Sequence, residues 1–530
     1  MIEKKIPFVG LHAHSVAGSI FDAIGYPDEH MDFCYENGGE ALALTDHGNM
    51  NGFSHQFLHW QKMKSEGKEF KPIFGVEAYF LPSIDEWRDD YERIKEDKKL
   101  AKSLAKQGDT SGATVEDEDA SKKAIKSVIN RRRHLVLLAQ NQTGLSNLFK
   151  LISASYREEN FYRYPRVDYK MLAEHSEGVI AASACLGGPY AGNYWEHREE
   201  GPEAVREAMR ETTRNFLEVF GDRWYGELQW NNIPEQHELN QHIIEVCKEF
   251  DVTLISTADS HYPNREAWKD RELYKRLGWL GKGTPAWAED NTELPPGVEE
   301  IGYELYPKNG NEIWESYKQY SKNLGMEYDD DLVMNSITET HNIAFNRIES
   351  FVPDTKVRLP DFVVPAGFTD AEALVNYALE GLRERGLHET EEYTDRLQME
   401  LDVIEDRGFS KYFLTMKAIA DKANEVQLTG PGRGSAAGSL TAYVLGITQI
   451  DPIRYGLLFE RFLRKDATDY PDIDYDVAEP MQLKEMLMED WGKNSVVPIS
   501  NWNTLQLKSL IKDISKFYGV EFTEVNKVTA

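Results

Sequence analysis

Pro7–His14 reads PFVGLHAH, an apolar run that ends in two histidines one residue apart. On an extended strand, residues i and i+2 share a face, so His12 and His14 point the same way. The unit recurs as ALALTDHG (41–48), PIFGVEAYF (72–80), HLVLLAQ (134–140), GVIAASACLGG (178–188), WYGELQW (224–230) and TLISTADSH (253–261). Helical patterns such as Asn51–Ser65 and Glu235–Phe250 separate most of these runs. Seven strands alternating with helices predict a βα barrel, in which chemistry gathers at the C-terminal ends of the strands.

His12, His14, His47, Cys185, Asp259 and His261 fall at those ends. His12-x-His14 and Asp259-x-His261 each put two donors on one face, and imidazole, thiolate and carboxylate together suit Zn²⁺ or Mn²⁺. Each residue also has a structural reading: His47 could cap the turn in TDHGN, Glu77 could be a buried partner, and Cys185 a small core residue. His134 begins its strand, which in an all-parallel barrel would place it away from the cluster.

Composition bounds the rest. The 530 residues suffice for two to four domains, and 41% of them are hydrophobic. No run of eighteen apolar residues predicts a membrane helix, and MIEKKIPFVG does not read as a signal peptide. Three cysteines, Cys34, Cys185 and Cys247, make no disulfide framework, which implies a reducing cytoplasm. A net charge of −30 argues against nucleic-acid binding by charge alone. Arg433, Arg461, Arg464 and Lys465 nevertheless put local positive charge in a second motif region.

That region, Thr429–Val477, packs Gly430, Gly432, Gly434 and Gly438 around Arg433, with Ser435 and Ser439 closing the loop. Removing side chains lets backbone N–H groups approach an anion. The apolar run Ala436–Leu445 predicts a helix, so the anion would sit at a helix N-terminus. Further on, Asp472, Asp474 and Asp476 alternate with Ile473, Tyr475 and Val477, the pattern of a strand with one acidic face that would suit Mg²⁺. Phosphate loop and carboxylate strand together are the material of metal-assisted phosphoryl transfer.

GPGRGSAAGSL, LLFERFL and PDIDYD strongly resemble the palm of C-family replicative DNA polymerases, the family of the bacterial DNA polymerase III alpha subunit. HAHS, TDHGN, GVEAY, HLVLLAQN, ACLGG and DSHY resemble the motifs of the PHP domain that opens those polymerases. The resemblance implies an α/β chain: a PHP domain over 1–271, a distorted seven-stranded barrel with a charged helical insertion at 84–133, then an α+β palm over 272–499. The start of a helical thumb would occupy 500–530, with Val497, Trp502, Leu505, Leu507, Leu510 and Ile511 as a joining surface.

It further implies that Gly432, Arg433, Gly434, Ser435 and Arg461 hold the incoming nucleotide's triphosphate and that Asp472 and Asp474 bind catalytic Mg²⁺. Up to three Zn²⁺ or Mn²⁺ ions would be held by His12, His14, Asp22, His47, Glu77, His134, Cys185, Asp259 and His261. The implied activities are DNA-templated synthesis and 3′–5′ exonuclease proofreading. Primer-template DNA and dNTPs are the implied ligands, with sliding clamp or replisome proteins as partners. The family's third aspartate and fingers lie beyond the sequence, so a second polypeptide, as in a split or phage polymerase, is expected to complete the palm. The alternatives are a PHP nuclease with a non-polymerising palm remnant, and a replisome scaffold without enzymatic activity.

Overall fold

The computed structural model describes residues 5–106, 131–279, 304–359, 364–497, 499 and 506–529. They form two compact units: Met1–Asp354 together with Leu505–Ala530, and Thr355–Thr504.

The first unit is built on a six-stranded sheet in the order β1 (Ala41–Leu44), β2 (Lys71–Phe80), β3 (Arg133–Ala139), β6 (Val179–Ala182), β7 (Trp224–Gln229), β8 (Leu254–Thr257). A small antiparallel hairpin, β4 (Phe161–Tyr162) and β5 (Tyr164–Pro165), stands outside it. The seventh predicted strand is an extended segment that links the two sheet edges, with parallel bridges from Gly10 to Leu42 and from Ala13 to Ser260. His14 N donates to Ser260 O at 2.7 Å, and Ala43 N to Gly10 O at 2.8 Å. Seven staves therefore enclose the barrel.

Most neighbours run parallel, but β3 is antiparallel to both β2 and β6. β1, β6 and β7 are buried at every position, as expected for strands covered on both faces. Ile313, Tyr317, Val333 and Ile337, from helices Gly310–Leu324 and Asp330–Asn342, belong to the barrel's own core. By packing, the first unit thus reaches Asp354, past residue 271, the end of the PHP domain that the resemblance implies.

The second unit is mainly helical. Leu374 and Leu382 on helix Asp370–Glu384, Leu397, Leu401 and Ile404 on Glu391–Asp406, and Phe413 and Leu414 on Ser410–Val426 make its core. Helix Asp370–Glu384 begins at Thr369, whose hydroxyl accepts Glu372 N while Glu372 accepts Thr369 N, the capping box legible in the sequence.

Several elements differ from their sequence reading. The amphipathic pattern of Ser336–Ser350 predicts a helix there; the helix starts earlier, at Asp330, because Asp329 caps it, and it ends in a π turn at Ile343–Arg347. The apolar run Ala436–Leu445 is not one helix but a 3₁₀ turn, Ser435–Gly438, followed by Leu440–Val444. Asp472–Val477 is extended and joined by a single antiparallel bridge, Thr429 to Val477, rather than lying in a regular ladder. Its alternation still orients side chains: Ile473 and Tyr475 pack against the core while Asp472 and Asp476 stay exposed.

Within the predicted insertion, Ile84–Lys106 is helical, and GDTSGAT falls outside the described residues. Of the apolar residues expected to form a joining surface, Val497 and Leu507 are exposed, Leu510 and Ile511 half-buried, and Trp502 and Leu505 lie outside the described residues.

Candidate metal centre and phosphate loop

The staves bring the predicted donors together at one end of the barrel. Three groups of donor atoms have their members mutually within 4.8 Å: His14, His47 and His261; His12, His14, Glu77 and Asp259; and His47, Glu77 and His134. They overlap, sharing His14, His47 and Glu77. His134 joins because β3 is reversed, so the start of that strand lies beside the ends of its neighbours; Tyr79 pairs with His134 in the register.

Glu77 lies at the centre, fully buried. Its Oε2 is 2.5 Å from His12 Nε2 and 3.4 Å from His14 Nε2, its Oε1 is 3.0 Å from His47 Nδ1, and His134 Nδ1 contacts the same oxygen. Asp259 Oδ1 is 3.2 Å from both His12 Nε2 and His14 Nε2. Asp22 and Cys185 flank the three groups. Asp22 Oδ2 lies 3.0 Å from His47 Nε2 and 3.5 Å from His261 Nε2, and Cys185 Sγ is 3.7 Å from His134 Nδ1.

Electrostatics follow from burial and crowding. Burial pushes the Glu77 carboxyl up, but the imidazoles of His134 and His47 override it and hold the group well below the ordinary carboxylate range. Burial likewise disfavours a charged His12, yet Asp259 and Glu227 raise it well above the usual imidazole value. Protons on imidazoles here play the part that divalent cations would play, since buried carboxylates need a positive partner.

A cation fits the donors on two observations. His14 Nε2 and Asp259 Oδ1 are buried, face each other, and have no hydrogen-bond partner. In addition, the outer nitrogens of the imidazoles are tied down. His12 Nδ1 meets Glu227 Oε1 at 2.7 Å, His14 Nδ1 meets Ser19 Oγ at 3.1 Å, and His261 Nδ1 bonds Asp259 O at 2.8 Å. Each leaves Nε2 turned toward the cluster, the arrangement that fixes a metal-binding tautomer.

Backbone strain marks the same place. Among the described residues five non-glycines have positive φ, and three belong to the site: Asp259 (50°), Ala184 (58°) beside Cys185, and Phe21 (62°) beside Asp22. Such conformations persist only where the surroundings over-determine them.

Sequence reasoning missed the supports. Glu227 also accepts from Thr257 and Gln229; an acid inside the buried strand WYGELQW was the available signal. Asp46 accepts from Ser15 N, Ser15 Oγ and Ser19 Oγ, and so fixes the loop that orients His14. Arg271 grips Asp22 through Oδ1 at 2.8 Å and its carbonyl at 2.6 Å, a long-range partner that no local pattern announces.

The glycine loop of the second unit is shaped around the acidic segment. Gly430 N donates to Asp476 O at 2.8 Å, and Gly434 turns at φ +65°, where an added Cβ would lie 2.4 Å from Asp474 Oδ2. Arg433 Nη2 is 3.2 Å from Asp474 Oδ1 and its Nη1 3.8 Å from Asp476 Oδ1. Gly434, Ser435 and Arg461 are exposed and Gly432 is half-buried. Asp472, Asp474 and Asp476 form no cluster of donor atoms like those of the barrel; an arginine, not a third carboxylate, faces the last two.

The expectation of an anion at the following helix N-terminus is overturned, because that end is already filled. Glu400, fully buried on helix Glu391–Asp406, accepts from Leu440 N, Thr441 N and Ser439 Oγ at 2.9, 2.8 and 2.9 Å. Arg396 balances it at 2.7 Å and also donates to the carbonyls of Gly438 and Leu457. One i, i+4 pair thus ties the glycine loop to the segment leading into Arg461. An acid on the apolar face of Leu397, Leu401 and Ile404 was its only sequence signal.

Together the first unit is a βα barrel with a histidine–carboxylate cluster, a candidate metal centre, at its strand ends, joined in one chain to a glycine-loop unit. Comparison with known proteins makes this specific: residues 10–231 match the PHP domain, and residues 372–530 match the bacterial DNA polymerase III alpha NTPase domain. Over nearly its whole length the chain is similar to DNA polymerase III alpha subunits. That of Aquifex aeolicus is 34% identical over 538 residues, covering 98% of this chain and 40% of that protein. That of Borreliella burgdorferi is 32% identical with the same coverage, and that of Treponema pallidum 30% identical over 99% of this chain and 39% of that protein. The chain spans about two-fifths of the length of the curated relatives it matches. An amidohydrolase structure from Chromobacterium violaceum aligns over 50% of the chain at 13% identity and a TM-score of 0.25, too low to bear on the fold. Among the described residues no helix is long and apolar enough to cross a membrane.

Proposed function

We propose that the barrel is a metal-dependent phosphodiesterase that removes nucleotides from the 3′ end of DNA, and that the second unit contributes the triphosphate-binding loop of a DNA polymerase. The observation that carries the first half is the buried pair His14 Nε2 and Asp259 Oδ1, 3.2 Å apart yet without a hydrogen bond, at the heart of the donor cluster. Bound Zn²⁺ or Mn²⁺ would supply hydroxide near neutral pH and clamp phosphodiester oxygens. Glu77, the three overlapping donor groups, Asp22 and Cys185 would hold the ions, and Glu227, Ser19 and Asp46 would keep the imidazoles aimed.

For the second half, the support is the match of residues 372–530 and the exposed loop Gly432–Ser435 beside Asp474. With only Asp472 and Asp474 in place and Arg433 facing Asp474, nucleotidyl transfer requires a further carboxylate and residues that close over the nucleotide. We read these as part of the remaining length of the relatives, which a second polypeptide can supply. Work on primer-template DNA with dNTPs, beside clamp or replisome proteins in the cytoplasm, belongs to the same reading.

Two assays test it. The chain in Mn²⁺ or Zn²⁺ should shorten a 5′-labelled oligonucleotide from its 3′ end, and Asp259→Asn should abolish this; equal digestion by the variant shows that the centre is misassigned. The chain should not extend a primer unaided, and should do so when a polypeptide with the rest of the alpha subunit is added. Extension by the unaided chain would refute the incomplete-palm reading.

A further inference from the structure

Residues 157–166 read REENFYRYPR, with Arg157, Arg163 and Arg166 among the rings of Phe161, Tyr162 and Tyr164 and only Glu158 and Glu159 acidic, and neither half of the proposed function uses it. It folds as the hairpin β4–β5 at the rim of the metal centre. Pro165 and Tyr79 both pack where a Cβ on Gly48, the neighbour of His47, would lie, each 3.0 Å from that point. From the cluster outward the rings are continuous. Tyr79 stacks at 6.1 Å and 11° on His47 and lies 5.6 Å from His134, Tyr164 meets Tyr79 edge-on at 5.5 Å, and the Arg132 guanidinium sits 3.8 Å over Tyr164. Beyond them Phe161 and Tyr156, both exposed, stack on each other at 5.5 Å.

The hairpin is held in shape from beneath. Arg166 is fully buried, its guanidinium 4.0 Å over Trp87, and it donates to the carbonyls of Tyr162 and Tyr164 at 3.0 and 2.9 Å. At the tip Arg163 takes φ +60°, a conformation costly for a side-chain-bearing residue, and its guanidinium lies 5.9 Å from the Tyr162 ring. Among the described residues no carboxylate lies within ion-pair distance of Arg163, whereas Arg131 pairs with Asp90 and Arg133 with Glu196.

We propose that this hairpin, with Tyr79 and Arg132, is a platform on which single-stranded DNA lies as its end enters the metal centre. Proteins that hold single strands combine aromatic faces, on which unstacked bases rest, with cations that follow the phosphates. A duplex keeps its bases stacked and offers these rings nothing, so the preference is for single strands. The inference deepens the nuclease reading and rests on it for direction, since only a hydrolytic centre gives the strand a destination.

The test separates the two. Binding of a 5′-fluorescein oligothymidylate to the full chain is followed by anisotropy in EDTA, where no hydrolysis occurs. The variants are Arg163→Gly, which suits the φ of the tip and keeps the fold, and Phe161→Ser, an exposed position. Both should weaken binding about five- to tenfold. Arg163→Gly alone should lower the slope of log affinity against log salt by about 0.7. Parental affinity in both variants, no binding by the parent, or equal affinity for a blunt duplex overturns the platform. Weakened binding without 3′ cleavage in any metal keeps the platform and removes the nuclease reading; cleavage with parental binding in both variants does the reverse.

Discussion

His30 lies buried beside the loops that carry the donor cluster, its Nε2 donating to Ile24 O at 2.9 Å and its Nδ1 without a hydrogen bond. A second ring proton would have no acceptor, and burial lowers the group to about 4, against the opposing pull of the Ile24 carbonyl. The unfolded ring titrates near 6.5, so the unfolded chain binds the proton first. Stability from this residue is complete above the unfolded value and drains away as pH falls from there toward 4. Between about pH 7.5 and about pH 4.5 the parent should lose about 2.5 kcal/mol more than a His30→Gln variant, both unfolded in urea with EDTA present. An equal loss in the two chains shows that His30 is not neutral in the fold.

Residue scale is also where the sequence was most and least informative. His12 and His14, or Asp259 and His261, announce themselves because a two-residue spacing on a strand fixes a shared face. Glu227, Asp46 and Arg271 do not, because each acts on a partner far away in the chain, and only tertiary packing brings them there.

At the scale of elements, β3 shows the limit of counting strands. All seven staves were legible from apolar runs with polar ends, but direction was not, because an antiparallel strand has the same composition as a parallel one. Once β3 is reversed, His134 passes from the wrong end of the barrel into contact with Glu77. The glycine loop carries the opposite lesson: its turns were legible, while the cap on the helix after it was hidden in Glu400. Replacing Glu400 by Ala would leave Arg396, two backbone N–H groups and a hydroxyl without their acceptor, a loss of about 3 kcal/mol. Hydrogen exchange at Leu440–Val444 should then quicken by about a hundredfold, with Glu400→Gln falling between. Unchanged protection in Glu400→Ala would mean that the pair does not hold the loop.

Over the whole molecule, the proposed ligands come from separate staves, so metal bound there would be a term in the stability of the first unit. An ion present at about a thousand times its dissociation constant adds about 4 kcal/mol, so stripping metal should lower that unit's calorimetric midpoint by several degrees. The transition of Thr355–Thr504, which has no donor cluster among its described residues, should stay in place. A first-unit midpoint indifferent to verified metal loss would show that the donors are held by the protein alone. The bounds 1–271 and 272–499 follow motifs in the sequence, whereas packing groups Ile313 and Ile337 with the core of the first unit, an allegiance that no local pattern carries.

The stave that opens the chain pairs with β1 on one side and, through Ala13 and Ser260, with the far end of the barrel on the other. On a ribosome the first pairing is available almost at once. The second must wait for roughly 250 further residues, because neither Ser260 nor the donors Asp259 and His261 have yet been made. A growing chain therefore carries an open sheet edge and a half-built donor set for most of the barrel's synthesis, the condition in which strands find wrong neighbours. Closure of the ring and completion of the donor set fall within a few residues of one another, so a full set of donors exists only once the ring can close.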